Sequence, residues 1–150
     1  MKAKRCTKCN GIFPGNEFGK CHYLSSGLTS QCKICLYASS YKHRTESEAF
    51  DFNGIDWDIC RAYWNYSCCV CGSKSDKLTV DHWVSLNSKD TSGHVRWNVI
   101  PLCSHCNSSK NNTPADVWLA KKYDPLKAAL IYTEIESYLT LMNELRSTTA

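Results

Sequence analysis

Eight of the eleven cysteines fall into four C-x-x-C pairs: Cys6/Cys9, Cys32/Cys35, Cys68/Cys71 and Cys103/Cys106. No other feature limits the fold so strongly. Knuckles of this spacing, taken two at a time, are how proteins hold tetrahedral zinc. The competing reading is disulfides. The start, "MKAKRCTKCNG", is basic, but no apolar stretch of a secretory signal follows it. No apolar run is long enough to span a bilayer, so no membrane partner is expected. The expected location is therefore cytoplasmic, where thiols stay reduced and metal binding is favoured over cross-linking. Two structural Zn²⁺ sites are predicted: Cys6, Cys9, Cys32 and Cys35 form one, and Cys68, Cys71, Cys103 and Cys106 the other.

Zinc also resolves a shortage of core. Residues 1–45 read as a basic four-cysteine module like a zinc ribbon, with Phe13, Phe18, Tyr23 and Leu28 as its apolar groups. So few would not hold a fold, but structural zinc contributes roughly 10–16 kcal/mol of apparent binding energy in finger peptides. Charge is uneven along the chain. Residues 1–44 carry eight basic groups against Glu17 alone, and the rest is slightly acidic. Even after two negative charges from a four-thiolate zinc site, this module stays positive. That favours a polyanion, with DNA as the first candidate, contacted by Lys4, Arg5, Lys8, Lys20 and Lys33. A merely solvated charged face is the plainer alternative.

The expected fold class is α+β. A helix should leave the second knuckle and fade into a polar linker near Thr45–Ala49. A helix over 56–66 should start with Asp56 as its N-cap and bury Trp57, Cys60, Tyr63 and Trp64. A strand from Leu78, a polar loop, a strand through "VRWNVIPL" and a knuckle opening a helix follow. Helices begin at Pro114 and Pro125. The last shows a mixed apolar face (Leu126, Leu130, Tyr132 or Thr133, Ile135, Leu139, Met142, Leu145), expected for packing or dimerisation. The domains expected are 1–45, 46–118 and a C-terminal helical extension, 119–150.

Inside the second cysteine set lies an ordered group of polar residues: Asp81-His82, then Asn98, then Cys103-x-x-Cys106-Asn107-x-x-Lys110. Alone, an Asp-His dipeptide says little. The full run "VDHWV…GHVRWNVIPLCSHCNSSK" resembles the HNH motif of the ββα-metal endonucleases, over about residues 56–118. Many members carry a proline soon after the histidine, where "DHWVS" has Ser85. The resemblance implies a ββα-metal module and a metal-dependent DNA endonuclease with a single catalytic cation. More loosely, the N-terminal arrangement resembles compact phage and mobile-element HNH proteins, restriction-like or homing-like, acting in a prokaryotic or phage-infected cytosol.

The chemistry explains the residue types. Phosphodiester hydrolysis needs a base for water and positive charge where oxygens gain charge. An imidazole, mostly neutral at cellular pH, suits the base, so His82 takes that role. Asp81 and Asn107 offer hard oxygens to Mg²⁺ or Mn²⁺. By the resemblance, Asn98 ties the loop after the histidine to the second strand. Lys110 and Arg96 are candidate phosphate contacts, Arg96 equally an ordinary strand residue. His94 is a candidate to reach DNA or the metal. His105 should face solvent, and His22 and His43 are surface or DNA-contact residues. Of the unpaired thiols, Cys60 should be core and Cys69 competes with Cys68 as a ligand. A two-strand cut needs two sites, which would call for a homodimer. The rival class is a non-catalytic zinc protein that binds nucleic acid.

Overall fold

The computed structural model describes the backbone of residues 3–45 and 50–147, and the side chains of 3–39 and 52–145. The chain forms two compact units, Met1–Asp58 and Ile59–Ala150. The fold class is α+β, with short antiparallel pairs of strands and five helices among the described residues.

The first unit opens with two small hairpins. Strand β1 (Ala3–Arg5) pairs with β2 (Ile12–Pro14), and β3 (Phe18–Lys20) with β4 (Leu28–Cys32). Helix α1 (Lys33–Thr45) starts inside the second knuckle. Strand β5 (Phe50–Asp51) and α2 (Gly54–Tyr63) follow. The linker expected at 45–49 lies almost wholly outside the described residues. Phe13 and Phe18 are buried beside Cys6, Cys32 and Cys35, with Leu28 packed against them. Tyr23 is not core. It sits at the tip of the second hairpin, 98% exposed, because the β3–β4 turn carries it beyond the body of the unit.

Helix α2 begins earlier than expected, and Asp56 is not its cap. The Asn53 carboxamide oxygen accepts from the amides of Ile55 (2.8 Å) and Asp56 (3.2 Å), while Asp56 accepts from the Asn53 amide at 3.0 Å. This is a reciprocal capping box with Asn53 as the cap. Glycine is required at the next position. A Cβ on Gly54 would lie 2.4 Å from Cys32 Sγ and 3.0 Å from the Phe13 ring. Trp57 and Cys60 are buried, whereas Tyr63 is exposed.

The second unit is built on β6 (Thr79–His82) and β8 (Val99–Leu102). They run antiparallel, with Asp81 opposite Ile100 and His82 opposite Val99. All four residues of β8 are buried. The expected single strand over "VRWNVIPL" is broken into β7 (His94–Val95), a 3-10 turn at Arg96–Asn98, and β8. Helix α3 (Ser104–Lys110) then opens from the second knuckle, followed by α4 (Ala115–Lys122) and α5 (Pro125–Ser147). The buried face of α5 is Ile135, Tyr138, Leu139 and Met142, while Leu126, Leu130 and Leu145 are exposed. The core stripe is thus confined to the second half of the helix, where Tyr138 packs on Tyr63 and Trp64. No helix among the described residues is long and apolar enough to cross a membrane.

Candidate metal and catalytic centre

The two cysteine sets assemble as their spacing predicts. Within each, all four sulfurs lie within 4.8 Å of one another. Four thiolates gathered this way fit a tetrahedral zinc, and the surroundings are arranged to hold them. In the first set the Cys32 amide donates to Cys6 Sγ (3.3 Å), and the backbone of Gly54 bonds Cys35. In the second the Cys106 amide donates to Cys103 Sγ (3.4 Å), and Ser73 Oγ lies 3.1 Å from Cys71 Sγ. Burial and neighbouring thiolates push Cys106 up; at Cys71 burial also raises, but hydrogen bonds from Ser73, Cys68 and Cys103 together outweigh it and lower the thiol to about 6. A dication relieves that mismatch by favouring all four thiolates. Cys60 and Cys69 are buried outside both clusters.

The second cluster fixes α3, and α3 reaches back to β6. Asn107 directly follows Cys106. Its amide nitrogen donates to Thr79 Oγ1 at 2.8 Å, and Thr79 Oγ1 donates to the Leu102 carbonyl at 2.8 Å. With the nitrogen so engaged, the carboxamide oxygen is the atom of Asn107 that can serve as a hard donor. One turn on, Lys110 is 1% exposed and lies 2.8 Å from Asp81 Oδ2, donating also to the His82 carbonyl at 2.7 Å. The expectation for Lys110 as a phosphate contact is therefore corrected. The helix aims its ammonium inward, where it neutralises a buried carboxylate. Burial raises the Asp81 carboxyl above its usual range, with Lys110 pulling the other way.

Asp81 and His82 lie at the end of β6, as the site requires. After His82 the chain turns, and the Trp83 amide donates to the Asn98 carbonyl at 2.9 Å. The Asn98 side chain binds the loop on both sides. Its oxygen accepts from the Val84 amide (2.8 Å), and its nitrogen donates to the carbonyls of Val84 and Gly93 (both 3.0 Å). Trp83, buried, donates from Nε1 to Glu136 of α5 at 2.6 Å. The last helix therefore steadies the residue next to His82, a role that its apolar pattern did not suggest.

His94 reaches neither solvent nor a metal cluster among the described residues. It is 1% exposed, and its Nδ1 lies 2.7 Å from His82 Nε2. Burial lowers both rings, His82 to about 3, with His94 and Lys110 adding to the effect, and His94 to about 4. Both are neutral at cellular pH. Sequence reasoning missed this bond, the inward turn of Lys110 and the place of Thr79. His105 is exposed, as expected. Arg96 is half-buried in the 3-10 turn.

For a catalytic cation, Asp81 and Asn107 supply two oxygen-bearing groups on neighbouring elements. The only clusters of three or more His, Cys, Asp or Glu ligands among the described residues are the two cysteine sets. A cation at Asp81 and Asn107 would thus complete its shell with water and substrate oxygens, which suits a hard, weakly caged ion.

In the first unit Arg5, Lys8, Lys20 and Lys33 are exposed. Lys4 is half-buried and donates to Ser26 Oγ (2.9 Å) and the Leu28 carbonyl (3.0 Å), strapping the second hairpin.

No curated protein matches the chain. Among solved structures, the Type II-C Cas9 enzyme from Actinomyces naeslundii is similar at 22% identity and a TM-score of 0.45, covering 70% of this chain. The chain spans only 13% of the length of that protein. Residues 68–113, which contain Asp81, His82, His94, Asn98, Asn107 and Lys110, match the family model described as HNH endonuclease.

Proposed function

We propose that the protein is a metal-dependent DNA endonuclease whose centre is Asp81, His82 and Asn107. The observation that carries the reading is the placement of His82 at a strand end beside the Asp81 carboxylate, with the Asn107 carboxamide, next to the second cysteine cluster, bonded to Thr79 of the same strand. His82 takes a proton from water, the water oxygen bonds to phosphorus, and the bond to the 3′ oxygen breaks. That oxygen then takes a proton, leaving 5′-phosphate and 3′-hydroxyl ends. A Mg²⁺ or Mn²⁺ ion held by Asp81 and Asn107 would place positive charge at the phosphate and the leaving oxygen. Lys110 keeps the Asp81 carboxylate ionised and oriented, and Asn98 fixes the loop behind His82. The exposed cations of the first unit, Arg5, Lys8, Lys20 and Lys33, hold the DNA backbone in a salt-sensitive way. The alternative, a zinc module that only binds nucleic acid, shares every feature except turnover. The test is incubation of the zinc-loaded protein with plasmid and branched DNA in Mg²⁺ or Mn²⁺. Cleavage supports the enzyme; binding without cutting of any substrate leaves the binding module.

A further inference from the structure

We propose that the tip of the second hairpin is a base-contacting wedge, in which the Tyr23 ring stacks on a nucleobase of bound DNA. This goes beyond phosphate binding by the first unit. It rests on DNA as the partner, but not on cleavage at Asp81 and His82. Strands β3 and β4 are joined by a turn over 21–27, with Lys20 paired to Leu28 at its neck. At the tip Tyr23 is 98% exposed, and Leu24 beside it 43%. Single apolar residues at a surface are ordinary. Here a ring and a leucine stand side by side at a hairpin turn, in a unit whose cysteine-lined core holds only Phe13 and Phe18 as aromatic groups.

The backbone that carries the ring is tied down. The Cys21 amide donates to the Gly27 carbonyl at 2.9 Å, and the Gly27 amide to the Leu24 carbonyl at 2.8 Å. Gly27 turns the chain at φ +66°, a conformation that suits glycine. Ser26 Oγ donates to the Leu28 carbonyl at 3.1 Å. Lys4 reaches from β1 to the same two groups, and its ammonium lies 5.5 Å from the centre of the buried Phe18 ring, so the turn is strapped to the core. Only the side chain of Tyr23 is left to be ordered on binding, which keeps the entropy cost of a contact small. Charge favours the partner. The one acid of residues 1–44, Glu17, stands at the far end of β3 from the turn. Lys20 is exposed at the neck and His22 at the tip. Such a surface repels a basic partner and draws a polyanion. Cations at the neck meet phosphate, and a ring carried past them meets the π-face of a base. Every base has that face, so the contact adds affinity without reading sequence. A single strand offers it openly, and a duplex offers it where an apolar wedge parts a base step.

The experiment uses the full-length, zinc-loaded protein as wild type, Tyr23→Ala and Tyr23→Phe, with zinc content matched. Kd is measured by fluorescence anisotropy over a range of salt on duplex, branched and single-stranded DNA. Tyr23→Ala should weaken binding by roughly 5- to 100-fold, the scale of one stacked base, with the slope of log Kd against log salt unchanged. Tyr23→Phe, which keeps the ring, should stay within about twofold of the wild type. Lys20→Ala should instead flatten the slope by about 0.9. DNA carrying iodouracil should photo-crosslink to Tyr23 in the wild type, a signal that a merely structural role would not give. A loss confined to branched and single-stranded DNA assigns the ring to an unpaired base; an equal loss on duplex assigns it to a parted step. Tyr23→Ala binding all three DNAs as tightly as the wild type overturns the proposal and leaves the tip as a surface for another protein. An equal loss in Tyr23→Phe also overturns it, because the hydroxyl and not the ring would then be the contact. If the affinities behave as stated and the wild type cuts no DNA, the wedge stands and the endonuclease reading falls.

Discussion

The two zinc knuckles that open helices can be laid over one another residue by residue. In the first unit Cys32-x-x-Cys35 is followed by Leu36 and, one turn on, Ser39. In the second, Cys103-x-x-Cys106 is followed by Asn107 and Lys110. Each pair follows a strand and leads into a helix. In the first helix, Ser39 donates to its own Cys35 carbonyl and accepts from Lys8. In the second, the same two positions reach β6 and hold Thr79, Asp81 and the His82 carbonyl. The metal cluster is thus a generic anchor. Chemistry is added by what stands one and four residues past the last thiolate, because in α3 those positions face β6.

Removing zinc tests what the two units share. The clusters replace a core that neither knuckle could build, and structural zinc is worth roughly 10–16 kcal/mol. Full chelation should collapse the far-UV circular dichroism. An unchanged spectrum after verified metal loss would remove the anchor from the argument.

The next effect separates the units. Lys110→Met leaves the Asp81 carboxylate buried without its cation, which costs about 3–5 kcal/mol in comparable buried pairs. Ser39→Ala, at the matching position, should stay within about 0.5 kcal/mol. Urea denaturation of the two variants reads the difference, and equal losses would break the comparison.

A smaller effect comes from the histidine pair. His82 and His94 have folded-state pKa values near 3 and 4, below the unfolded value near 6.5. Their contribution to stability is therefore present above about pH 6.5 and is lost as pH falls toward 4. Between pH 6.5 and 5 the loss should be about 1–2 kcal/mol for each histidine, or about 3 kcal/mol for the pair, at roughly 1.4 kcal/mol per pH unit for each proton taken up only on unfolding. His94→Asn, compared at equal zinc content, should flatten that slope; an identical slope would show that His94 is not buried neutral.

What the sequence disclosed and what it hid divide along the same line. Ligand spacing within a knuckle is local, so both clusters could be read from Cys-x-x-Cys alone. The end of β6 at Asp81-His82 and the tie made by Asn98 followed from the order of the motif. Contacts between elements were hidden. Lys110 looked like a surface cation because nothing in "NSSK" states which way α3 rotates against β6. His94 pairs with His82 across a 12-residue loop whose path is set by Asn98. Tyr23 reads as core because an aromatic in a small module usually is, yet it stands exposed at a hairpin turn. Asp56 reads as a cap by residue type, yet it is the far member of a capping box that Asn53 opens three residues earlier.

The account stands most directly on His82. Plasmid cleavage in Mg²⁺ or Mn²⁺ should be compared for the wild type and His82→Ala, with zinc content and DNA binding measured on the same samples. The expected result is a rate lower by about 10²–10⁴, as for loss of a general base, with zinc and binding unchanged. Undiminished cleavage by His82→Ala, at full zinc occupancy, would contradict the assignment of this centre.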